Sequence, residues 1–281
     1  MNEQDVQTLR SDALTPAEME VKAEQIGITK ADMSFSKLFL LSIMAGMFIA
    51  LGGMFMLLVK SDSGMSYVTS QLLGGLVFCL GLFLCISAGA ELFTGNCLMI
   101  FGKLSDRYSW AKLLRNWGIV YLGNLVGSLI MVTVLFLAHY PATNGGAVGD
   151  AMLTVASTKI NQSIDVLFFK GIMCNVLVCL TIWISFAART ITDKFFSIIL
   201  PITAFAACGF EHCIANMFFL PMGFLLRLAG FEYTGTADIS HVNLDGILHN
   251  ISVVTVGNIV GGVLFVGVMY WLIYHKKSTH S

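Results

Sequence analysis

Charge is scarce in this chain: 12% of its 281 residues are Asp, Glu, Lys or Arg, about half the share usual in soluble domains. The formal net charge is −1 and there is no basic stripe, which excludes the electrostatic footprint of a nucleic-acid binder. No GxxxxGK[ST] motif is present, which argues against an ATP-driven pump on this chain alone. The N-terminus, MNEQDVQTLRSDALTPAEMEVKAEQ, is polar and acidic and does not have the form of a cleavable signal peptide. What the chain has instead is apolar mass, with 56% hydrophobic residues and a mean hydropathy of +0.79. One soluble core cannot hide that much apolar surface. The sequence reads as an integral membrane protein. Its seven cysteines, Cys79, Cys85, Cys97, Cys174, Cys179, Cys208 and Cys213, all fall in apolar runs and read as small buried hydrophobes.

A membrane span needs about 20 predominantly apolar residues. Six stretches qualify: 39–59, 72–101, 113–138, 166–188, 195–226 and 248–274. The second and fifth are long for one crossing, and each is interrupted by an acidic residue among small neighbours. That pattern predicts broken helices. Lysine and arginine placement sets the orientation. With both termini inside, Arg10, Lys22, Lys30, Lys37, Lys103, Arg107, Lys112, Arg115, Arg189, Lys194, Lys276 and Lys277 face the cytoplasm. Only Lys60, Lys159, Lys170 and Arg227 face out. The expected organisation is a cytoplasmic segment (1–37), a channel domain (38–276) and a short cytoplasmic tail (277–281). Thr15, Pro16 and Glu18 announce a helix start with a capping box, and so an amphipathic helix on the cytoplasmic face. Residues 139–165 and 230–245 read as extended outer loops.

The chain repeats itself. Glu91 is followed five residues later by Asn96 in AELFTGNCLM, and Glu211 five residues later by Asn216 in FEHCIANMFF. GNLVG in the third span recurs as GNIVG in the sixth. Three crossings per half, an odd number, make the second half inverted relative to the first. Inverted repeats with paired broken helices point to a central transport site.

Non-helical backbone at bilayer depth survives only inside protein or beside a water-filled cavity, so the two breaks should face each other. Half-helix ends there offer free N–H groups that favour anions. Glu91 and Glu211 are expected to cap them by accepting backbone N–H bonds. Asn96, Asn216, Asn124 and Asn258 have an interhelical hydrogen-bonding role available. His212 is the histidine in the central part of a span, and an intramembrane ionisable group is a functional candidate. Glu211, His212 and Cys213 are consecutive, pointing about 100° apart on a helix, so they do not converge on a metal. Thr94, three residues after Glu91, is the hydroxyl companion in the first repeat. Phe78, Leu82, Leu92, Phe93, Phe205 and Phe210 flank the breaks, with Phe78 and Leu82 one turn apart. Hydrophobic constrictions on either side of a polar centre would restrict water and large solutes.

At these residues the chain resembles the formate/nitrite transporter family, and the bacterial formate channels in particular. The resemblance runs from the PAEM helix through KLLRNWGIVYLGNLVGSL, CNVLVCLTIW, GFEHCIANMFFLPMG and VTVGNIVGG to MYWLIY. It implies an all-α, aquaporin-like bundle of six spans and two broken helices, assembled as a homopentamer with a pore in each protomer. It places the central pair on Thr94 and His212, and a cytoplasmic-side slit on Leu82, Phe205 and Leu92. An outer constriction falls on Phe78, Phe93 and Val178, with pathway polar residues on Asn175 and Asn258 and a vestibule lysine on Lys159. The chain departs from the formate-channel pattern at Lys170, where that branch has leucine; a lysine is more like the nitrite, hydrosulfide or lactate branches. The implied activity is passive or proton-linked passage of small weak-acid anions, formate first, across the inner membrane, with no cofactor or metal. A membrane-embedded enzyme using Glu211 and His212 lacks a nucleophile constellation, and a water or glycerol pore lacks Asn-Pro-Ala motifs.

Overall fold

The computed structural model describes residues 13–275. Among them are helices and connecting turns and no strand. The chain opens with α1, Pro16–Ala31. Thr15 and Glu18 form the expected capping box, the Thr15 N–H reaching the Glu18 carboxylate at 2.8 Å. Helix α2 is Phe35–Lys60 and α3 is Tyr67–Leu84, which continues through a π-helical turn, Cys85–Gly89. After a break come the short α4, Phe93–Asn96, and α5, Ile100–Leu104. Helix α6 is Trp110–Leu137, α7 Ala147–Ile160 and α8 Ile164–Ser185. The split crossing is α9, Ile191–Ala207, then α10, Cys213–Leu228. Helix α11, Leu244–Val260, runs on through a π-helical stretch, Gly261–Val268, into α12, Met269–Tyr274.

Among the described residues, five helices are long and apolar enough to cross a membrane: Phe35–Lys60, Tyr67–Gly89, Trp110–Leu137, Ile164–Ser185 and Leu244–Tyr274. The sixth crossing is divided between α9 and α10. Leu72, Leu76, Leu200, Leu248 and Phe265 stand exposed on the outside of the bundle; an apolar surface of that kind needs lipid or another subunit against it.

Packing follows the inversion. Helix α2 lies along α6 and α8 along α11, while α3 and α9 pack together between them. The GNLVG and GNIVG motifs make these approaches possible. A side chain at Gly127 would overlap the Ile43 carbonyl of α2, and one at Gly261 would overlap the Ile172 carbonyl of α8. Small residues let backbones of membrane helices close up.

Three expectations change. Residues 139–165 are not an extended loop: a 3₁₀ segment, Tyr140–Gly146, leads into α7, whose Val148, Met152, Leu153 and Ala156 are buried. Local Asn and Gly content marks the turn, while burial against α10 secures the helix after it. The helix of the first span begins at Phe35, before the apolar run expected at 39–59, with Ser34 as its N-cap. Cys208 is exposed, although the other six cysteines are buried. Arg10, Lys276, Lys277 and the expected tail (277–281) lie outside the described residues.

Candidate functional site

Each broken crossing is interrupted in the same way. Gly89 at φ +83° and Gly209 at φ +69° end the approaching helices in a left-handed conformation, which glycine adopts without the Cβ penalty. The next N–H returns to the fifth carbonyl back, Ala90 to Cys85 at 2.9 Å and Phe210 to Phe205 at 3.1 Å. The chain then runs extended past Glu91 and Glu211 before α4 and α10 begin.

The first N–H of each half-helix goes to an asparagine from another helix, not to the glutamates. Asn124 Oδ1 accepts from the Phe93 N–H at 2.9 Å, and its amide donates to the Ser42 and Glu91 carbonyls. Asn258 Oδ1 accepts from the Cys213 N–H at 2.9 Å, and its amide donates to the Gly171 and Glu211 carbonyls. One fully buried amide per break thus pairs the first N–H of the half-helix and the carbonyl of the glutamate, two backbone groups that lipid would leave unpaired. The expected capping role of Glu91 and Glu211 is therefore corrected. A carboxylate at this depth needs a cation, and each has one.

Lys30, near the end of α1, donates to Glu91 at 2.9 Å and to Asn96 Oδ1 at 2.7 Å. The Asn96 amide donates to Glu91 and to Asn116, both at 2.8 Å. On the opposite face Lys159, near the end of α7, lies 3.1 Å from both oxygens of Glu211. The Asn216 amide donates to Glu211 and to Asn250, both at 2.7 Å. Each cluster is one lysine, one glutamate and two asparagines, with the lysine and the first asparagine on the carboxylate and the second asparagine behind the first. Each repeat therefore includes the helix that precedes its first crossing, α1 or α7. The signal is present in equal spacings: Lys30 to Leu41 matches Lys159 to Lys170, and Asn116 to Asn124 matches Asn250 to Asn258. The Glu91 N–H bonds the Leu41 carbonyl and the Glu211 N–H bonds the Lys170 carbonyl, which fixes that register.

The halves differ at the residue after each glutamate: Leu92 in one, His212 in the other. His212 is the N-cap of α10, and its Nδ1 accepts the Ala215 N–H at 3.1 Å. In the neutral ring the proton then sits on Nε2, which lies 2.8 Å from Thr94 Oγ1. Nε2 donates to that oxygen, leaving the threonine hydroxyl hydrogen free to turn elsewhere. A proton added at Nδ1 would break the Ala215 cap. Both side chains are buried, at 2% and 0% exposure. Asn175 donates to the Thr94 and Asn258 carbonyls, at 3.3 and 2.7 Å, and so braces the Thr94 backbone.

Two cavities approach this pair from opposite faces. One, of about 570 Å³, opens on the α1 side and is lined by Lys22, Lys30, Arg189, Lys194, Leu82, Glu91 and Leu92 among others. The other, of about 770 Å³, is lined by Lys60, Lys159, Lys170, Cys208, Phe78, Phe205, Phe210, Glu211 and His212 among others. Lys170 reaches Gln162 at 2.7 Å, and Gln162 in turn donates to Glu211 at 3.1 Å. Phe205 does not line the α1-side cavity with Leu82 and Leu92; its ring packs edge-on against Phe78, 5.5 Å between centroids, and lies 6.0 Å from His212. Phe93 and Val178 are buried and line neither cavity; Phe93 packs on Trp117 and Tyr121 instead. Phe78, Phe93 and Val178 all belong to one buried apolar cluster, with Leu82, Leu92 and Phe205.

The chain matches the family model described as "Formate/nitrite transporter" over residues 17–272. It is 40% identical over 277 residues to the protein named "Formate channel FocA" of Escherichia coli K12, covering 96% of this chain and 97% of the relative. The chain belongs to the formate/nitrite transporter family. A solved structure titled "Pentameric formate channel with formate bound" aligns with a TM-score of 0.75 at 39% identity, over 86% of this chain and 98% of that one. Another, titled "FNT family ion channel", gives 0.80 at 29% identity over 91% and 98%. Family membership makes this an aquaporin-like, multi-pass membrane protein, and the relatives carry the names of channels and transporters, not enzymes.

Proposed function

We propose that this chain conducts small monovalent weak-acid anions, formate foremost, through a pore in each protomer of a homopentamer in the inner membrane, with both termini cytoplasmic. The observation that carries the reading is the His212–Thr94 hydrogen bond, buried between two lysine-lined cavities that enter from opposite faces. The naming of relatives for formate passage supports the choice of substrate.

A bare carboxylate-sized ion entering an apolar medium costs of order 20 kcal/mol in an idealised Born estimate. Phe78, Phe205, Leu82 and Leu92 narrow the route, so the anion needs help. Lys159, Lys170 and Lys60 raise its concentration at the outer mouth, and desolvation raises its own basicity. The free Thr94 hydroxyl hydrogen, polarised by the Nε2–H that its oxygen accepts, then offers a donor to the carboxylate at the midpoint. Proton coupling follows if the anion takes a proton there and leaves as the neutral acid. Nitrite, hydrosulfide and lactate are the competing substrates, and Lys170 is the residue that favours them.

An uptake panel in proteoliposomes tests this, with the four anions at two pH values. Formate should enter faster than in protein-free liposomes and faster than the others. Lys170→Leu should raise the formate-to-nitrite ratio. Formate uptake no faster than in protein-free liposomes would overturn the reading.

A further inference from the structure

Apart from the pore, three metal-type side chains converge where the first helix meets the last. Glu20 and Glu24 stand one turn apart on the inward face of α1, exposed by only 3% and 6%. His275, just past α12, brings Nδ1 to 3.1 Å from Glu20 Oε1 and 3.2 Å from Glu24 Oε1. All three donor atoms lie within 4.8 Å of one another. The Ser105 hydroxyl adds a fourth oxygen, bonded to Glu24 and 3.4 Å from the same Nδ1.

We propose that Glu20, Glu24 and His275 form a zinc-class divalent-cation site that clamps α1 to the end of α12. Ligands about 2.0–2.2 Å from a tetrahedral ion are separated by roughly 3.3–3.5 Å, close to the spacings found. Two carboxylates and an imidazole suit zinc, with the remaining position open to water or Ser105. The ligands are held from behind, as metal ligands generally are. Arg107 Nε donates to the other oxygen of Glu24 at 3.1 Å, Trp271 Nε1 donates to Ser105 at 2.8 Å, and the Trp271 ring stacks on His275. Charge also asks for a cation. Two buried carboxylates face one half-exposed arginine and the His275 ring, so an ion bound to the neutral ring would take over the charge that a protonated ring otherwise supplies. Since α1 also carries Lys30, occupancy would hold the Lys30–Glu91 pair in place.

The test uses the purified full-length protein with a histidine-free tag, in a Cys208→Ser background so that the exposed thiol does not bind metal. After chelation, zinc chloride is titrated against a competing fluorescent dye. About one zinc per protomer should bind, and Glu20→Gln or His275→Gln should weaken it more than about tenfold. Zinc should raise the melting temperature of the parent but not of either variant. X-ray absorption on the zinc-loaded parent, which needs no variant to fold, should give nitrogen and oxygen ligands with one imidazole. Absence of stoichiometric zinc, unchanged affinity in His275→Gln, or sulfur in the coordination shell would overturn the site, the first of these leaving a proton-bridged ion pair in its place.

Discussion

The Lys30 and Lys159 clusters are one arrangement used twice, on opposite faces and upside down. In both, a lysine from a preceding helix neutralises the glutamate of a broken crossing, and one asparagine, itself held by a second, bonds the carboxylate. What is repeated is what backbone at membrane depth requires: a cap for the half-helix and a counter-charge for the carboxylate. What is not repeated is the histidine. Leu92 stands in one half where His212 stands in the other, and Thr94 is matched by Ile214. The second cluster is also looser. Lys30 reaches Asn96 Oδ1, whereas Lys159 stays on Glu211 and leaves Asn216 Oδ1 without a partner among the described residues. Symmetric residues build the scaffold, and the proposed transport site falls at the departures from symmetry.

If so, damage to matched positions should be matched. Replacing Asn124 or Asn258 with leucine strands two buried backbone groups at the break, each worth about 1–3 kcal/mol when left unpaired. Both variants should lose most of their folded yield, as read by size-exclusion chromatography in detergent. A large loss at one and none at the other would break the equivalence. Lys30→Met and Lys159→Met come next. Each leaves a buried carboxylate uncompensated, a change of about 3–5 kcal/mol, and their melting temperatures should fall by similar amounts. The smallest effect is expected at Gly89→Ala and Gly209→Ala. A Cβ at positive φ destabilises by roughly 1–2 kcal/mol, again equally, because neither glycine has a neighbour within 4 Å to clash.

Much of this is legible in the sequence. Glu91–Asn96 and Glu211–Asn216 mark the breaks, and the two GN-V-G motifs mark the helices that cross beside them. The roles of the glutamates are not legible. A carboxylate next to a helix start ordinarily caps it, and only the approach of α6 and α11 shows that Asn124 and Asn258 occupy that position. Lys30 and Lys159 are hidden because they lie far along the chain from their carboxylates, outside the apolar runs that define spans. Helix α7 reads as loop because Asn144, Gly145 and Gly146 signal a turn, while its helical face is set by burial against α10. Resemblance groups Phe205 with Leu82; the edge-on contact of its ring with Phe78 is not legible in the sequence. His275 and Glu20 sit at opposite ends of the chain, a pairing that no local spacing reveals.

The most direct measurement of the central claim is formate flux, with its pH profile, in proteoliposomes containing His212→Phe or Thr94→Ala. Lowered flux or an altered pH profile in both, with the oligomer intact, is the predicted result. Parent-like flux and pH profile in both would contradict a midpoint site built from the imidazole and the hydroxyl.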